Sequence, residues 1–510
     1  MTASASPSLL RRYLDHIPAD DADAQVVALY AMLDTIAVDN PLVARAIVGE
    51  LRDQRRNLKL IASENYCSLP VQYAQGTLLT DKYAEGYPFH RFYAGCENVD
   101  IVEAEAARLA CELFGAQHAY VQPHSGADAN LVAFLAILGA RIERPILESL
   151  GEDNAAKLDR PQWETVRRAL GEQRILALDY YSGGHLTHGY RFNVSARLFD
   201  VHTYTVDRDT NLLNLDQIRE QAHEVKPLIL LAGYSAYSRK INFAKMRDIA
   251  DEVGAVFMVD MAHFAGLVAG KVFTGDYDPV ASAHMVTTTT HKTLRGPRGG
   301  LVLCDVEFAD YVDKGCPSIL GGPLPHVLAA KAVALREASR PQFAQYARRI
   351  VENAAALAEA LQSEGLEVLT GGTDNHLMLV NVSTSYGVTG RQAETALREC
   401  GITLNRNALP FDPNGPWYTS GLRIGTPAVT TLGMGTEDMR TIAAAITRVL
   451  SHARPAAAKA GGTSKAKYDL EPEARDAARK QVAELMRRFP VYPEVDLEQL
   501  EQLVGLPDSG

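Results

Sequence analysis

The sequence contains no uninterrupted apolar run of about 18 residues, so it predicts no transmembrane helix. Cysteine is sparse: Cys67, Cys96, Cys111, Cys304, Cys316 and Cys400 are scattered, with no CxxC pair and no metal-type cluster. In a chain of 510 residues that pattern predicts a reducing cytoplasm, no disulfide framework and no bound metal. A basic surplus is missing too. The formal net charge of -11 counts against nucleic acid as a partner, because phosphate backbones need a basic surface. The opening MTASASPSLLRRYLDH lacks the apolar core of a secretory signal, and the acidic DDAD that follows counts against a mitochondrial presequence. No internal repeat is present.

What is present is enough chain for two or three domains with a large core. Residues 1–56 read as an N-terminal helical arm, with helix-spaced apolar residues over 24–33 and 43–51. Residues 57–335 read as a large α/β domain. Apolar, β-branched runs at 228–231, 256–259 and 285–289 each end in polar or small residues, among them Ser235, Asp260, His263, His291 and Lys292. Buried parallel strands read as continuous apolar runs, and ligands bind off their carboxyl ends. Residues 336–510 read as a smaller C-terminal α/β domain, with a long helical stretch over 338–361 and strand-like runs at 377–382 and 402–404. Two segments read as insertions: 143–174, charged and helix-prone, and 454–467, low in complexity and linker-like.

The strongest local signal is TTTTHKTLRGPRGG, residues 287–300. A lysine directly after a β-branched strand and beside a Gly/Pro/Arg loop suits a Schiff-base amine, which must be desolvated yet reach an open crevice. Asp260 at a neighbouring strand end can pair with a protonated pyridine nitrogen, or simply cap a helix. HSGADAN, residues 124–130, puts Ser125, Gly126 and Ala127 at a strand-to-helix turn whose N–H groups suit an anion. In SGGHLTHG, residues 182–189, the glycines permit close approach and His185 is placed to stack on a ring or to serve the core. KYAEGYPFHRFYAGCENVD, residues 82–100, is either a functional loop or an aromatic packing patch. Arg423, in SGLRIGTP, offers a two-pronged contact to a carboxylate.

Taken together these segments closely resemble the serine hydroxymethyltransferase family. The matching stretches are LIASENY (60–66), DKYAEGYP (81–88), VQPHSG (121–126), GGHLTHG (183–189), VDMAHFAGL (259–267), TTTTHKTLRGPRGG (287–300), GGTDNHL (371–377), TSGLRIGTP (419–427) and RRFPVYPEV (487–495). The resemblance implies a fold-type I enzyme dependent on pyridoxal 5'-phosphate (PLP), a homodimer or a dimer of dimers with shared active sites. It implies reversible transfer of the serine hydroxymethyl group to tetrahydrofolate, giving glycine, with side aldolase activity on β-hydroxy amino acids.

Carried over by position, the resemblance makes Lys292 the Schiff-base lysine and Asp260 the partner of the pyridine nitrogen. His185 stacks on the ring; Ser235 and His263 serve the phenolic oxygen; Ser125, Gly126 and Ala127 hold the phosphate, with Gly322 from the partner subunit. Arg423 binds the substrate carboxylate with Ser63 and the partner subunit's Tyr83. The partner subunit's Glu85 handles the proton of the substrate hydroxyl, with Tyr93 beside it; His291 and Arg298 flank the lysine. Phe92, Tyr180, Gly184, Leu186 and Asn407 face the folate. Three positions depart from the family pattern: Ala127 has no hydroxyl for the phosphate, Phe92 has none near the folate, and Tyr180 replaces an aliphatic residue. A folate-independent aldolase or an α-methylserine transferase uses the same machinery, and a non-catalytic PLP- or RNA-binding protein would not need all of Lys292, Asp260, Arg423 and Glu85.

Overall fold

Short apolar runs alternating with helices build a seven-stranded sheet at the centre of the molecule. The computed structural model describes residues 8–458 and 462–506. In chain order the strands are His118–Tyr120 (β1), Arg174–Leu178 (β2), Asp200–Tyr204 (β3), Ile229–Gly233 (β4), Val256–Asp260 (β5), Met285–Thr289 (β6) and Gly300–Cys304 (β7). Across the sheet they lie in the order β1-β7-β6-β5-β4-β2-β3. Strand β7 runs antiparallel to both neighbours, and the other pairings are parallel. This is the mostly parallel α/β architecture that the sequence predicts.

Every residue of β4, β5 and β6 is buried, as strands covered by helices on both faces must be. Successive side chains enter opposite layers. Leu230, Phe257 and Val286 meet Phe243, Met246 and Phe264 in one. Ile229, Met258 and Met285 meet Phe134 and Phe199 in the other.

A second core lies toward the C-terminus, around an antiparallel sheet ordered Glu367–Val368, Leu377–Asn381, Gly421–Gly425, Asn405–Asn407. The helix Pro341–Ser363 joins the two cores: Phe343, Ala347 and Ile350 pack on the central sheet, and Ala354, Leu357 and Leu361 pack on the smaller one. The N-terminal helices Leu9–His16, Ala24–Asp39 and Pro41–Arg56 share a cluster with the last helix, Leu497–Val504. Arg55 fastens this arrangement by donating to the carbonyls of Val491, Tyr492 and Val495.

Some local expectations hold and one is corrected. The helical stretch expected at 338–361 is the helix Pro341–Ser363; Pro341 sets its start by driving Arg340 into extended backbone (φ -80, ψ 147), which parts it from the helix Pro325–Ala338. The expected strand at 402–404 forms as Ile402–Thr403, within the second core, and pairs with Leu58–Lys59. The stretch 454–467 is no linker. Most of it forms a hairpin of Ala453–Ala457 with Thr463–Leu470, held by the Gln392 amide, which donates to the carbonyls of Ser464 (2.6 Å) and Lys467 (2.7 Å). Residues 459–461 lie outside the described residues. Low-complexity composition carries no information about backbone partners, which is why the hairpin escaped notice. The other stretch, 143–174, holds the helices Arg144–Ser149 and Arg160–Gly171, the second closed at its start by an Asp159–Gln162 capping box.

Candidate active site

Strands β4, β5 and β6 lie in register, Gly233 opposite Asp260 and Asp260 opposite Thr287. The segments that follow them therefore leave from one edge of the sheet, where open parallel sheets bind ligands. Gly233 is required there: its φ is +116 and a Cβ would stand 2.1 Å from the carbonyl of Asp260. The helix Gly126–Leu138 points its N-terminus at the same edge. Its cap is Ser125, whose hydroxyl accepts from the Asp128 amide at 3.1 Å.

Two adjoining cavities open here. One, of about 340 Å³, is lined by Ser63, Ser125, Gly126, Ala127, His185, Ser235, Asp260, His291, Lys292 and Arg298, among others. The second, of about 370 Å³, shares Ser63, His185, Ser235 and Lys292 and adds Tyr180, Gly184, Leu186, His263, Asn407 and Arg423. Most of the candidate residues, drawn from across the sequence, thus face one divided space.

Five do not. Tyr83, Glu85, Phe92, Tyr93 and Gly322 line neither cavity. Four of these are drawn together elsewhere. The Tyr83 ring meets that of Tyr93 edge-on at 4.9 Å, its hydroxyl donates to Glu85 at 3.3 Å, and a Cβ on Gly322 would lie 3.6 Å from Tyr83 Cζ. Tyr83, Phe92 and Tyr93 are 57%, 69% and 48% exposed, high values for aromatic side chains.

The electrostatics of the main site follow from burial. Desolvation lowers the Lys292 ammonium to about 8; Asp260 opposes the shift, and Arg423 and Arg298 add to it. Burial by itself would push the Asp260 carboxyl up. The hydrogen bond from His188, the charges of His188 and His185 and the Asn130 amide outweigh it and hold the group ionised, well below the usual carboxylate range. Burial lowers His185 to about 4 and His291 to about 3. It also takes His263 well below its ordinary value, with Lys292 and Arg423 adding to the effect. Arg423 donates to Asn405 Oδ1 (3.1 Å) and to the carbonyl of Ser235 (2.7 Å). Among the described residues it has no carboxylate partner, so a half-buried guanidinium faces the second cavity ready for an anion.

Four residues that sequence reasoning did not single out complete the site. His188 Nε2 lies 3.0 Å from Asp260 Oδ2, and Asn130 donates to the same oxygen at 2.9 Å. Asn65 donates to the carbonyl of Lys292 at 2.9 Å while its Oδ1 accepts from Thr431 at 2.7 Å, tying the lysine loop to the smaller core. His376 Nε2 lies 3.2 Å from Nδ1 of His263, with the rings stacked. All four sit inside segments noted for other residues. Their roles depend on contacts across 72 to 366 positions of sequence, which spacing alone cannot show.

The comparisons with known proteins agree with this geometry. A family model described as serine hydroxymethyltransferase matches residues 36–146 and 165–446. The serine hydroxymethyltransferase of Treponema pallidum is 60% identical over 489 residues, covering 96% of this chain and 85% of the relative. That of Salinispora tropica is 58% identical over 475 residues, 93% of this chain and 99% of the relative. That of Cutibacterium acnes is 54% identical over 486 residues, 95% and 99%. With its lysine, aspartate and arginine gathered at one sheet edge and its sequence matched over nearly its whole length, the chain belongs to the serine hydroxymethyltransferase family.

Proposed function

We propose that this chain transfers the hydroxymethyl group of serine reversibly to tetrahydrofolate, giving glycine and 5,10-methylenetetrahydrofolate, with PLP held on Lys292. The observation that carries the reading is the pair of Lys292 and ionised Asp260 on one cavity wall, with Arg423 on the adjoining one.

The residues fit the cofactor. A half-buried lysine with a lowered pKa has its nucleophilic amine form within reach near neutral pH. A buried ionised carboxylate matches a protonated ring nitrogen. The approach of Gly126 to Thr289, where a Cβ would stand 2.7 Å from Cγ2, opens the helix N-terminus to a phosphate. When bound, PLP supplies an electron-withdrawing ring that accepts the electron pair left at the substrate α-carbon.

The chain's own groups do the rest. Asp260 would hold a proton on the ring nitrogen, and His188 and Asn130 would keep Asp260 ionised for that task. Ser125, Gly126 and Ala127 would bind the phosphate, His185 would lie against the ring, and Ser235 and His263 would serve its phenolic oxygen. Arg423 with Ser63 would grip the substrate carboxylate and so set which α-carbon bond stands perpendicular to the ring. Tyr180, Gly184, Leu186 and Asn407 would wall the pterin side. His291 and Arg298 would shape the lysine loop.

The patch of Tyr83, Glu85, Phe92 and Tyr93, with its three rings exposed, supports a homodimer, or a dimer of dimers, in which each chain lends this patch and Gly322 to its partner's site. There Glu85, with Tyr93 beside it, would take the proton of the substrate hydroxyl. In this reading residues 57–335 form the cofactor domain, 336–510 the small domain and 1–56 the arm. All six cysteines are unpaired, which supports a cytoplasmic setting. The same arrangement would cleave other β-hydroxy amino acids without folate, more slowly.

The test is conversion of serine to glycine with and without tetrahydrofolate, beside threonine cleavage. Folate-dependent glycine formation is expected; threonine cleavage alone would replace this reading with that of a folate-independent aldolase.

A further inference from the structure

Lys331, on the helix Pro325–Ala338, is 1% exposed. Among the described residues no carboxylate lies within ion-pair distance of it. Its Nζ donates instead to three backbone carbonyls, those of Val121 (2.6 Å), Pro123 (2.9 Å) and Gly300 (2.9 Å). An ammonium has three hydrogens to give and a neutral amine has two, so this cage asks for the charged form. A buried charge is costly unless its hydrogen bonds are all made, and here each is.

The three carbonyls are not scattered. Val121 and Pro123 lead directly into His124 and the turn at Ser125, Gly126 and Ala127. Gly300 closes the loop that carries Lys292 and donates its amide to the carbonyl of Pro123 at 2.9 Å. The backbones meet closely: a Cβ on Gly300 would stand 2.3 Å from the carbonyl of Ser125, and one on Gly299 would stand 2.5 Å from Lys331 Cε. The lysine therefore pins the entrance of the anion-binding turn to the end of the Lys292 loop. Burial lowers its ammonium to about 7, and the charged form, the one with a hydrogen for each of the three carbonyls, sets a positive charge behind the turn.

We propose that Lys331 is a positioning residue for the cofactor phosphate, acting through the 121–126 backbone that presents Ser125 and the helix N-terminus. The inference rests on the reading of this site as a PLP site.

The test compares binding of PLP with binding of pyridoxal, which lacks the phosphate, to cofactor-free full-length protein. Bound aldehyde is followed by absorbance. Lys331→Met is expected to weaken PLP about tenfold or more while leaving pyridoxal within about threefold. Lys331→Gln, which keeps amide donors without the charge, is expected to fall between, and it carries the test if the methionine variant does not fold. Equal weakening of both ligands would mark a general packing role and overturn the inference, as would unchanged binding of both. Wild-type protein that binds neither ligand would overturn the PLP reading itself, and this inference with it.

Discussion

His188 Nε2 lies 3.0 Å from Asp260 Oδ2, and His188 Nδ1 accepts from the amide of His185 at 3.2 Å, which places the imidazole proton on the side of the carboxylate. The other Asp260 oxygen accepts from the Ala262 amide at 3.0 Å. A carboxylate has about four acceptor positions, so this one is held on both oxygens with capacity left for a ring nitrogen.

Replacing His188 with alanine removes the main support of a buried anion. The expected loss is about 1–3 kcal/mol of stability by urea denaturation at neutral pH. The folded-state pKa of Asp260 lies below its unfolded value, so its contribution is fully present above about pH 4 and fades as the pH falls through the folded value. The gap between wild type and His188→Ala should accordingly shrink on acidification below about pH 4. A gap independent of pH would show that His188 acts by packing alone.

Arg423→Met should raise KM for serine about a hundredfold or more, because a buried carboxylate would lose its two-pronged partner. Affinity for PLP should change only a few-fold. A variant with unchanged KM would remove Arg423 from the substrate site.

Lys292 also makes stability rise with pH, but in a higher window and by relief of a cost rather than gain of a support. Its folded value of about 8 lies below the unfolded lysine value of about 10.4, so between these limits the unfolded chain binds the proton more tightly. The cost of burying the ammonium is present in full below pH 8 and is relieved as the pH rises through that window. Cofactor-free Lys292→Met should therefore be more stable than wild type at neutral pH, by on the order of 2–3 kcal/mol, and the advantage should vanish by about pH 10.5. Equal stability of the two proteins at neutral pH would contradict this.

A site shared between subunits makes a sharper forecast. Lys292→Ala and Glu85→Gln should each abolish folate-dependent serine cleavage alone. Mixed and allowed to exchange subunits, they should recover about a quarter of wild-type activity, since half the dimers would carry one intact site of two. No recovery in the mixture would place Glu85 in its own chain's site.

Much of this was legible in the sequence because strand-end chemistry is local. The runs ending in Ser235, Asp260 and Lys292 revealed three parallel strands and the edge they share. The turn proposed to hold the phosphate reads as small residues before a helix, and Ser125 caps that helix. What escaped was whatever depends on distant partners. Asn130 and His188 reach Asp260 from 130 and 72 residues away, and Lys331 bonds carbonyls 210 and 208 residues back. The hairpin in 453–470 was hidden for a related reason, since alanine, glycine and lysine specify no register. The break at Arg340, by contrast, was readable from Pro341.

The most direct test of the central claim is glycine formation from serine in the presence of tetrahydrofolate, measured for wild type and Lys292→Ala alongside their visible spectra. Wild type should carry the absorbance of a lysine-bound cofactor and turn over only with folate, while Lys292→Ala should lack both. Folate-dependent turnover and an unchanged spectrum in Lys292→Ala would contradict the account.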